Sequence, residues 1–201
     1  MQIIRDIDQG TDEWLELRLG VVTASKFKDV LSGGKGITRL SYMRQLAAEA
    51  LTGAPVDLFK SSAMEWGNET EPQAKAMYQL HTFNTVEEVA FIKHDSINVG
   101  VSPDGLICDN GLIEIKCPNT TTQIDTFLRG KMPTGHIPQV QGQLWVSERE
   151  WCDFVSFDPR INGKSSFCMT RIERDDKYIK DLETKVKQFN EELSEMIDKL
   201  R

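Results

Sequence analysis

The segment from Ser102 to Cys117 restricts the fold more than any other part of the sequence. It contains two short apolar runs separated by Asp109-Asn110-Gly111, a turn sequence typical of a β-hairpin. Side chains alternate between the two faces of a strand, so Glu114 and Lys116 project from one face and their apolar neighbours from the other. The hairpin also folds Asp104 back towards Glu114, although ten positions separate them.

This arrangement of charges indicates chemistry on a phosphodiester. Two adjacent carboxylates, Asp104 and Glu114, repel each other, and a hard divalent cation such as Mg²⁺ offsets that repulsion. Such a cation polarises a phosphoryl oxygen and lowers the pKa of a bound water. Lys116 then orients that water or stabilises the developing negative charge. The alternative is a solvated, salt-bridged strand face without a catalytic role.

Periodicity predicts a mixed α/β domain, α+β-like, in which helices surround a central sheet that is mixed or largely antiparallel. One domain is expected across residues 1–201. Glycines and a lysine over Gly33–Gly36 predict a loop, Pro72 predicts a kink or a new helical start near Glu71, and residues 175–200 predict a terminal helix packed along the domain or forming a coiled coil. The predicted helices are 11–19, 24–31, 40–51, 62–80, 121–129, 138–147 and 175–200, and the predicted strands are 86–92, 99–102, 105–108, 112–117, 151–157 and 166–172.

Composition excludes several classes of protein. The net charge of −7 argues against a broad basic surface that coats DNA, although it allows positive charge confined to one groove. Four scattered cysteines do not suit a zinc or iron–sulfur site, and reduced thiols are expected. We expect no membrane span and, because the first residues lack a secretory signal, a cytoplasmic protein.

Several segments together resemble a known family. Pro103-Asp104 followed by Glu114-Ile115-Lys116 resembles the PD-(D/E)xK nuclease signature, and the chain is more specifically similar to the phage lambda exonuclease and YqaJ-like viral recombinase nuclease family. The resemblance implies a restriction-endonuclease-like core. The matching segments are Trp14-Leu15, Leu17–Ser25, Trp66–Glu71, Ser102–Leu106, Leu112–Pro118, Gln139–Gln141, Trp145-Val146 and Asp158–Arg160.

The resemblance also implies roles in catalysis. Asp104, Glu114 and the carbonyl oxygen of Ile115 would bind metal, and Lys116 would be the catalytic lysine. Glu71 matches a carboxylate on a helix that also contacts the metal, although spacing alone does not distinguish it from two other acids of the same segment. Gln141 matches a glutamine that bonds the lysine or the DNA; without the resemblance, a solvated helix glutamine is the simpler interpretation.

A second group of residues matches positions that contact the DNA end. Arg18, Ser25 and Ser102 correspond to a pocket for the 5′-terminal phosphate, where a guanidinium and hydroxyl groups suit phosphate oxygens. The alternatives are a helix-end salt bridge for Arg18 and a plain helix cap for Ser25. Met64 matches an apolar residue that wedges between bases, and a core methionine is the alternative.

The family implies an exonuclease that degrades the 5′-ended strand of linear duplex DNA and leaves 3′ single-stranded overhangs for recombination. It further implies two Mg²⁺ ions, with Mn²⁺ as an alternative, and a ring-shaped homotrimer threaded by DNA. A single-strand-annealing recombinase would be the partner, in the cytoplasm of a bacterial host carrying the phage or prophage. Two alternatives stay open: a PD-(D/E)xK endonuclease, and a non-catalytic module that binds DNA ends.

Overall fold

A computed structural model describes residues 1–33, 37–56 and 61–201. Three residues of the predicted loop Gly33-Gly34-Lys35-Gly36 lie outside the described residues. The helices are α1 Asp12–Leu17, α2 Phe27–Leu31, α3 Ile37–Thr52, α4 Ser62–Thr82, α5 Thr120–Arg129, α6 Ile137–Ser147 and α7 Asp176–Leu200. The strands are β1 Gln2–Ile4, β2 Val22–Thr23, β3 Val86–Glu87, β4 Phe91–Lys93, β5 Val99–Val101, β6 Gly105–Ile107, β7 Gly111–Lys116, β8 Trp151–Phe157 and β9 Phe167–Glu173.

The strands form two mixed sheets instead of the one central sheet that was expected. The larger sheet has the order β3-β6-β7-β8-β9, and the smaller one has the order β1-β4-β5-β2. Each contains one parallel pair, β7 with β8 and β2 with β5. The predicted strand 86–92 is divided between the two sheets, because the chain leaves one sheet after Glu87 and joins the other at Phe91.

Strand β7 occupies the centre of the larger sheet. Its antiparallel neighbour β6 follows from the predicted hairpin, with Gly105 opposite Ile113 and Ile107 opposite Gly111. Its parallel neighbour β8 requires a crossover, which α5 and α6 provide. The first five residues of β7 are buried, so Glu114 does not lie on the solvated strand face that was the alternative.

Helix α7 packs along the body of the protein, as one of the two interpretations of its heptad-like pattern predicted. Its buried residues include Leu182, Val186 and Phe189, and it contacts α2, α3 and α6. The ring of Phe189 stacks on Tyr42 with a centroid distance of 5.7 Å. Asp175 caps the helix by accepting a hydrogen bond from the backbone N–H of Tyr178.

Helix α4 is continuous through Pro72, so no new helix begins there, which was one of the two predicted outcomes. Proline removes one backbone hydrogen bond inside a helix. Here Pro72 lies on the exposed side of α4, while Ala74 and Tyr78 are buried where the helix packs on β7 and β8. The carbonyl that lacks its N–H donor therefore faces the solvent side of the helix.

The four cysteines are free thiols: Cys152 is buried, Cys117 and Cys168 are half-buried, and Cys108 is exposed. Within the described ranges, no helix combines the length and the apolar character that a membrane crossing requires.

Candidate active site

The β6–β7 hairpin brings Asp104 beside the central strand, as the sequence predicted. The backbone N–H of Asp104 donates to the carbonyl of Ile113 over 3.1 Å. In return, one carboxylate oxygen of Asp104 accepts a hydrogen bond of 2.5 Å from the backbone N–H of Ile115. Asp104 is thereby fixed against the strand that carries Glu114.

Glu114 is the most deeply buried charged residue of the hairpin, with 1% of its surface exposed. Its Oε1 accepts a 2.6 Å hydrogen bond from Gln139 and forms an ion pair with Lys116. Its Oε2 accepts a 2.6 Å hydrogen bond from Gln143. A buried carboxylate stays charged only when such donors offset its loss of hydration, and three donors are present here.

The charges of the site shift one another's pKa values. Burial raises the pKa of Asp104 well above its usual range, and the negative charges of Glu114 and Glu71 raise it further. Burial alone would lower the pKa of Lys116, but the carboxylates of Glu114 and Asp104 outweigh it and raise that pKa. Lys116 is therefore a stable cation, whereas its surroundings disfavour the charged form of Asp104.

Glu71 lies within electrostatic reach of this cluster. Burial raises its pKa, Lys75 at 4.0 Å opposes that change, and Glu114 raises it again. The two other acids of the segment, Glu65 and Glu69, are exposed, so the structure selects Glu71 as the acid of α4 that faces the site.

The two carboxylates Asp104 and Glu114 could hold a divalent cation that also keeps waters as ligands. Within residues 1–33, 37–56 and 61–201, no group of three or more His, Cys, Asp or Glu side chains could hold a metal ion. Mg²⁺ usually keeps several waters and binds through one or two carboxylates together with substrate phosphate oxygens. Asp104 and Glu114 supply two carboxylates. Burial raises the pKa of Asp104 and the repulsion between the carboxylates raises it further, and a divalent cation would relieve that repulsion.

The structure does not bring Gln141 into this site, which contradicts its predicted catalytic role. Gln141 is buried on another side of α6, where its amide donates to the carbonyl of Glu173 and accepts from the backbone N–H of Asp175, both over 2.9 Å. It joins α6 to the connection between β9 and α7. Gln139 and Gln143 are the glutamines that contact Glu114, and their four-residue spacing places them on one face of the helix.

Arg18 and Ser102, two residues of the predicted phosphate pocket, meet just beyond the end of β5. Nη1 of Arg18 donates to Oγ of Ser102 over 3.4 Å, and the guanidinium lies 3.9 Å from the ring centroid of Trp14. Burial lowers the pKa of Arg18 to about 10, against the opposing effects of Tyr42 and Glu49, so Arg18 stays charged near neutral pH. Among the described residues, no carboxylate forms an ion pair with Arg18, and the helix-end salt bridge is absent.

Ser25 is exposed in a short 3-10 helix, Ala24–Lys26, and its hydroxyl lies 3.3 Å from that of Thr23. It lines a cleft of about 430 Å³ whose other walls include Lys116 and Gln139. The structure therefore places Ser25 at an opening that leads to the carboxylate cluster.

Met64 is on the first turn of α4 with 55% of its surface exposed, so the core interpretation is wrong for this residue. Two residues further, the ring of Trp66 stacks under the guanidinium of Arg160 at 4.2 Å. Arg160 in turn bonds the buried carboxylate of Asp158 over 2.7 Å. The matched segments 66–71 and 158–160 thus lie together in space, and Met64 stays exposed beside them.

The five-stranded sheet, with Glu114 and Lys116 on its central strand and Asp104 beside it, is a PD-(D/E)xK-type fold and defines a DNA-degrading hydrolase. Residues 13–150 match the model of one family, described as the YqaJ-like viral recombinase domain. This match spans more than half of the sequence, and the chain belongs to that family, as its motifs predicted.

Solved structures agree with this assignment. The chain is similar to an alkaline exonuclease from Laribacter hongkongensis, with 46% identity, a TM-score of 0.88, and coverage of 94% of this chain and 96% of that chain. The same enzyme in complex with dAMP gives a TM-score of 0.90 with the same identity and coverage. A phage-related exonuclease from Haemophilus somnus 129PT, at 17% identity, covers 90% of this chain and 96% of that chain with a TM-score of 0.64, which supports the fold alone. No curated protein matches the sequence.

Proposed function

We propose that this chain is a Mg²⁺-dependent exonuclease that removes nucleotides from the 5′ ends of linear duplex DNA and leaves 3′ single-stranded overhangs. The observation that supports it most directly is the buried Glu114, held by Lys116 and two glutamines beside a carboxylate with a raised pKa. A carboxylate pair that destabilises the protein in the absence of a cation is expected at a catalytic site and not on a purely structural strand surface.

In this proposal Asp104, Glu114 and the carbonyl oxygen of Ile115 hold the metal, and Glu71 contributes through its position on α4. The bound metal would polarise the scissile phosphate and supply an activated water. Lys116, fixed by its ion pair with Glu114, places a permanent positive charge where the phosphorane becomes more negative. Gln139 and Gln143 keep the carboxylate of Glu114 oriented towards that centre.

The direction of degradation rests on the contact between Arg18 and Ser102. A guanidinium that is stacked on Trp14 and bonded to a hydroxyl is preorganised for a terminal phosphate. Ser25 lines the cleft that reaches Lys116, so a strand held by its 5′ phosphate could place its first phosphodiester at the metal. The structure of the Laribacter enzyme in complex with dAMP is consistent with a deoxynucleoside monophosphate as a ligand of such an enzyme.

The resemblance supplies the remaining parts of the proposal. They are a ring-shaped homotrimer that encloses DNA, a single-strand-annealing recombinase as partner, and action in the cytoplasm of the host. The single domain over residues 1–201 is proposed from the length of the chain. Met64, exposed on the first turn of α4, is the proposed wedge between bases. A homotrimer would show as a threefold mass by light scattering coupled to size exclusion.

The decisive experiment uses linear duplex DNA with a 5′ phosphate and a label at either end of one strand, next to a closed circular control. The wild type and Lys116→Ala are compared with Mg²⁺ and with chelator. We expect metal-dependent release of 5′-terminal nucleotides from linear DNA alone, abolished by the substitution. Cutting of the circle would replace the exonuclease by an endonuclease, and end binding without cleavage would indicate a binding module.

A further inference from the structure

The cleft beside the carboxylate cluster has a wall that the proposed mechanism does not use. Its lining residues are Ser25, Lys28, Lys116, Gly135, His136 and Gln139. Lys116 and Gln139 contact Glu114, and Ser25 belongs to the proposed pocket for the 5′ phosphate. Lys28, Gly135 and His136 have no role so far, although they face the same space.

The charge of this wall is unusual for an acidic protein. Among the described lining residues, none is a carboxylate, and two are lysines. The charge of Lys116 is already paired with Glu114, whereas Lys28 forms no ion pair with any residue that the structure describes. Its acidic neighbour Asp29 pairs instead with Lys26 over 3.5 Å. An unpaired ammonium in a chain with a net charge of −7 favours an anionic ligand at this position.

His136 completes the wall with a neutral hydrogen-bonding group. Its ring packs against Phe154 with a centroid distance of 5.3 Å and an interplanar angle of 33°, which fixes its orientation. Burial lowers its pKa, and the charges of Lys116 and Lys28 lower it further against the effect of Glu114. A neutral imidazole can donate one hydrogen bond to a phosphate oxygen. The ring and both lysines line the same cleft.

Gly135 keeps the space next to Lys28 open. A Cβ atom at this position would stand 3.6 Å from Nζ of Lys28, in van der Waals contact with the ammonium. Any larger side chain would extend into the volume in front of that charge. The wall thus presents an accessible cation and an oriented N–H donor on either side of an unobstructed opening.

We propose that Lys28 and His136 bind a backbone phosphate of the strand being degraded, namely the first one beyond the scissile phosphate on its 3′ side. This inference rests on the proposed function. An enzyme that releases single nucleotides from a 5′ end holds only one nucleotide on the 5′ side of the bond it cuts. The phosphate of that nucleotide is assigned to Arg18 and Ser102, so a further phosphate in the cleft belongs to the 3′ side. Lysine suits a phosphate as a compact point charge.

The test measures binding with Ca²⁺ in place of Mg²⁺, on 5′-phosphorylated duplexes that carry a single neutral methylphosphonate. In one duplex the methylphosphonate replaces the first phosphate beyond the scissile phosphate on its 3′ side. In a control duplex it lies several nucleotides further along. Wild type, Lys28→Gln and Lys26→Gln are compared, because Lys26 is an exposed lysine two residues away that does not line the cleft.

We expect the methylphosphonate next to the scissile bond to weaken binding by the wild type and by Lys26→Gln about tenfold. Lys28→Gln should bind this duplex and the unmodified one about equally, since its contact is already lost. Its dependence of log Kd on log salt should fall by about one unit of slope relative to the wild type. His136→Phe keeps the packing on Phe154 but removes the N–H donor. For this variant the methylphosphonate should weaken binding less than it does for the wild type.

Three results would overturn the inference. The first is a wild type insensitive to this methylphosphonate, and the second is a Lys28→Gln variant that stays as sensitive as the wild type. The third is a Lys28→Gln variant that loses only its preference for 5′-phosphate over 5′-hydroxyl ends, which would assign Lys28 to the terminal pocket. Release of 5′ nucleotides from unmodified DNA by the wild type with Mg²⁺ is measured separately, so failure of the proposed function is recognised independently.

Discussion

Replacement of Lys116 by methionine tests the electrostatics of the site through stability, without relying on catalysis. The substitution keeps the length of the side chain and removes its charge. Glu114 is 1% exposed, and without the ammonium it would keep two glutamine donors beside the carboxylate of Asp104. Removal of one partner from a buried ion pair costs about 3–5 kcal/mol. The side chain of Lys116 is 33% exposed, so water can partly replace it, and we expect about 2–3 kcal/mol.

This loss is large enough to measure by thermal unfolding. In a chain of this size, 1 kcal/mol shifts Tm by roughly 2–4 °C, so Lys116→Met should melt roughly 4–12 °C below the wild type in chelator. Lys187→Met is the matched control. Lys187 pairs with Glu183 over 2.6 Å on the surface of α7, where such pairs contribute only about 0–1 kcal/mol.

A double variant separates the ion pair from the loss of packing. Glu114→Gln combined with Lys116→Met removes both charges, and we expect it to recover most of the lost stability while remaining inactive. Lys116→Met itself should reduce DNA cleavage by about 10²–10³-fold. A Tm for Lys116→Met within about 1 °C of the wild type, or equal to that of Lys187→Met, would refute the argument that this pair stabilises the buried carboxylate.

Three further predictions concern other parts of the site. Gln139→Leu should lower the cleavage rate about 10–100-fold because a donor to Glu114 is lost. Gln141→Leu should leave the cleavage rate unchanged and lower the free energy of unfolding by about 1–3 kcal/mol. Equal cleavage rates for the two variants would contradict the assignment of Gln139, and not Gln141, to the active site. Burial and neighbouring carboxylates raise the folded-state pKa of Asp104, so the native state holds more protons and the metal-free protein should lose stability as pH rises from the usual carboxyl range through that pKa. Urea midpoints measured in chelator should show this slope for the wild type and a flatter one for Asp104→Asn. Arg18→Ala should weaken the preference for 5′-phosphorylated over 5′-hydroxyl ends in a competition assay, and equal losses on both ends would count against the terminal pocket.

The hairpin could be predicted because its signals are local. The turn sequence Asp109-Asn110-Gly111 and the alternation of β7 determine where Asp104, Glu114 and Lys116 lie relative to one another. The burial of Glu114 could not be read from the same residues. It depends on β8, which pairs with β7 only after about thirty residues of crossover, and on α6, which covers the carboxylate.

The error at Gln141 has a similar cause. Gln139, Gln141 and Gln143 alternate along a helix, where positions four apart share a face and positions two apart do not. Spacing alone groups Gln139 with Gln143, but it does not indicate which face of α6 meets β7. That choice is made by tertiary packing, and the resemblance between short motifs did not resolve a shift of two residues.

Two strands of the smaller sheet, β1 and β2, escaped prediction because they are short, whereas β5 was predicted as residues 99–102. Strands β1 and β2 have three and two residues, too few for an alternation pattern to be recognised. Strands β3 and β4 were predicted as one, since apolar and β-branched residues continue from Val86 to Ile92 through the point where the chain changes sheets.

Two unfavourable features of the described structure lie at the candidate active site. Burial, together with two neighbouring carboxylates, raises the pKa of Asp104, and Oε1 of Gln143 is a buried acceptor without a partner among the described residues. Each feature costs stability, since a buried polar group without a partner is expensive and like charges repel. Both lie next to Glu114, while the buried carboxylates of Asp153 and Asp158 elsewhere in the same sheet region are paired with arginines. Asp153 and Asp158 thus each have an arginine partner, whereas Asp104 and Glu114 repel each other. This difference is expected of a site that binds a cation and a phosphate.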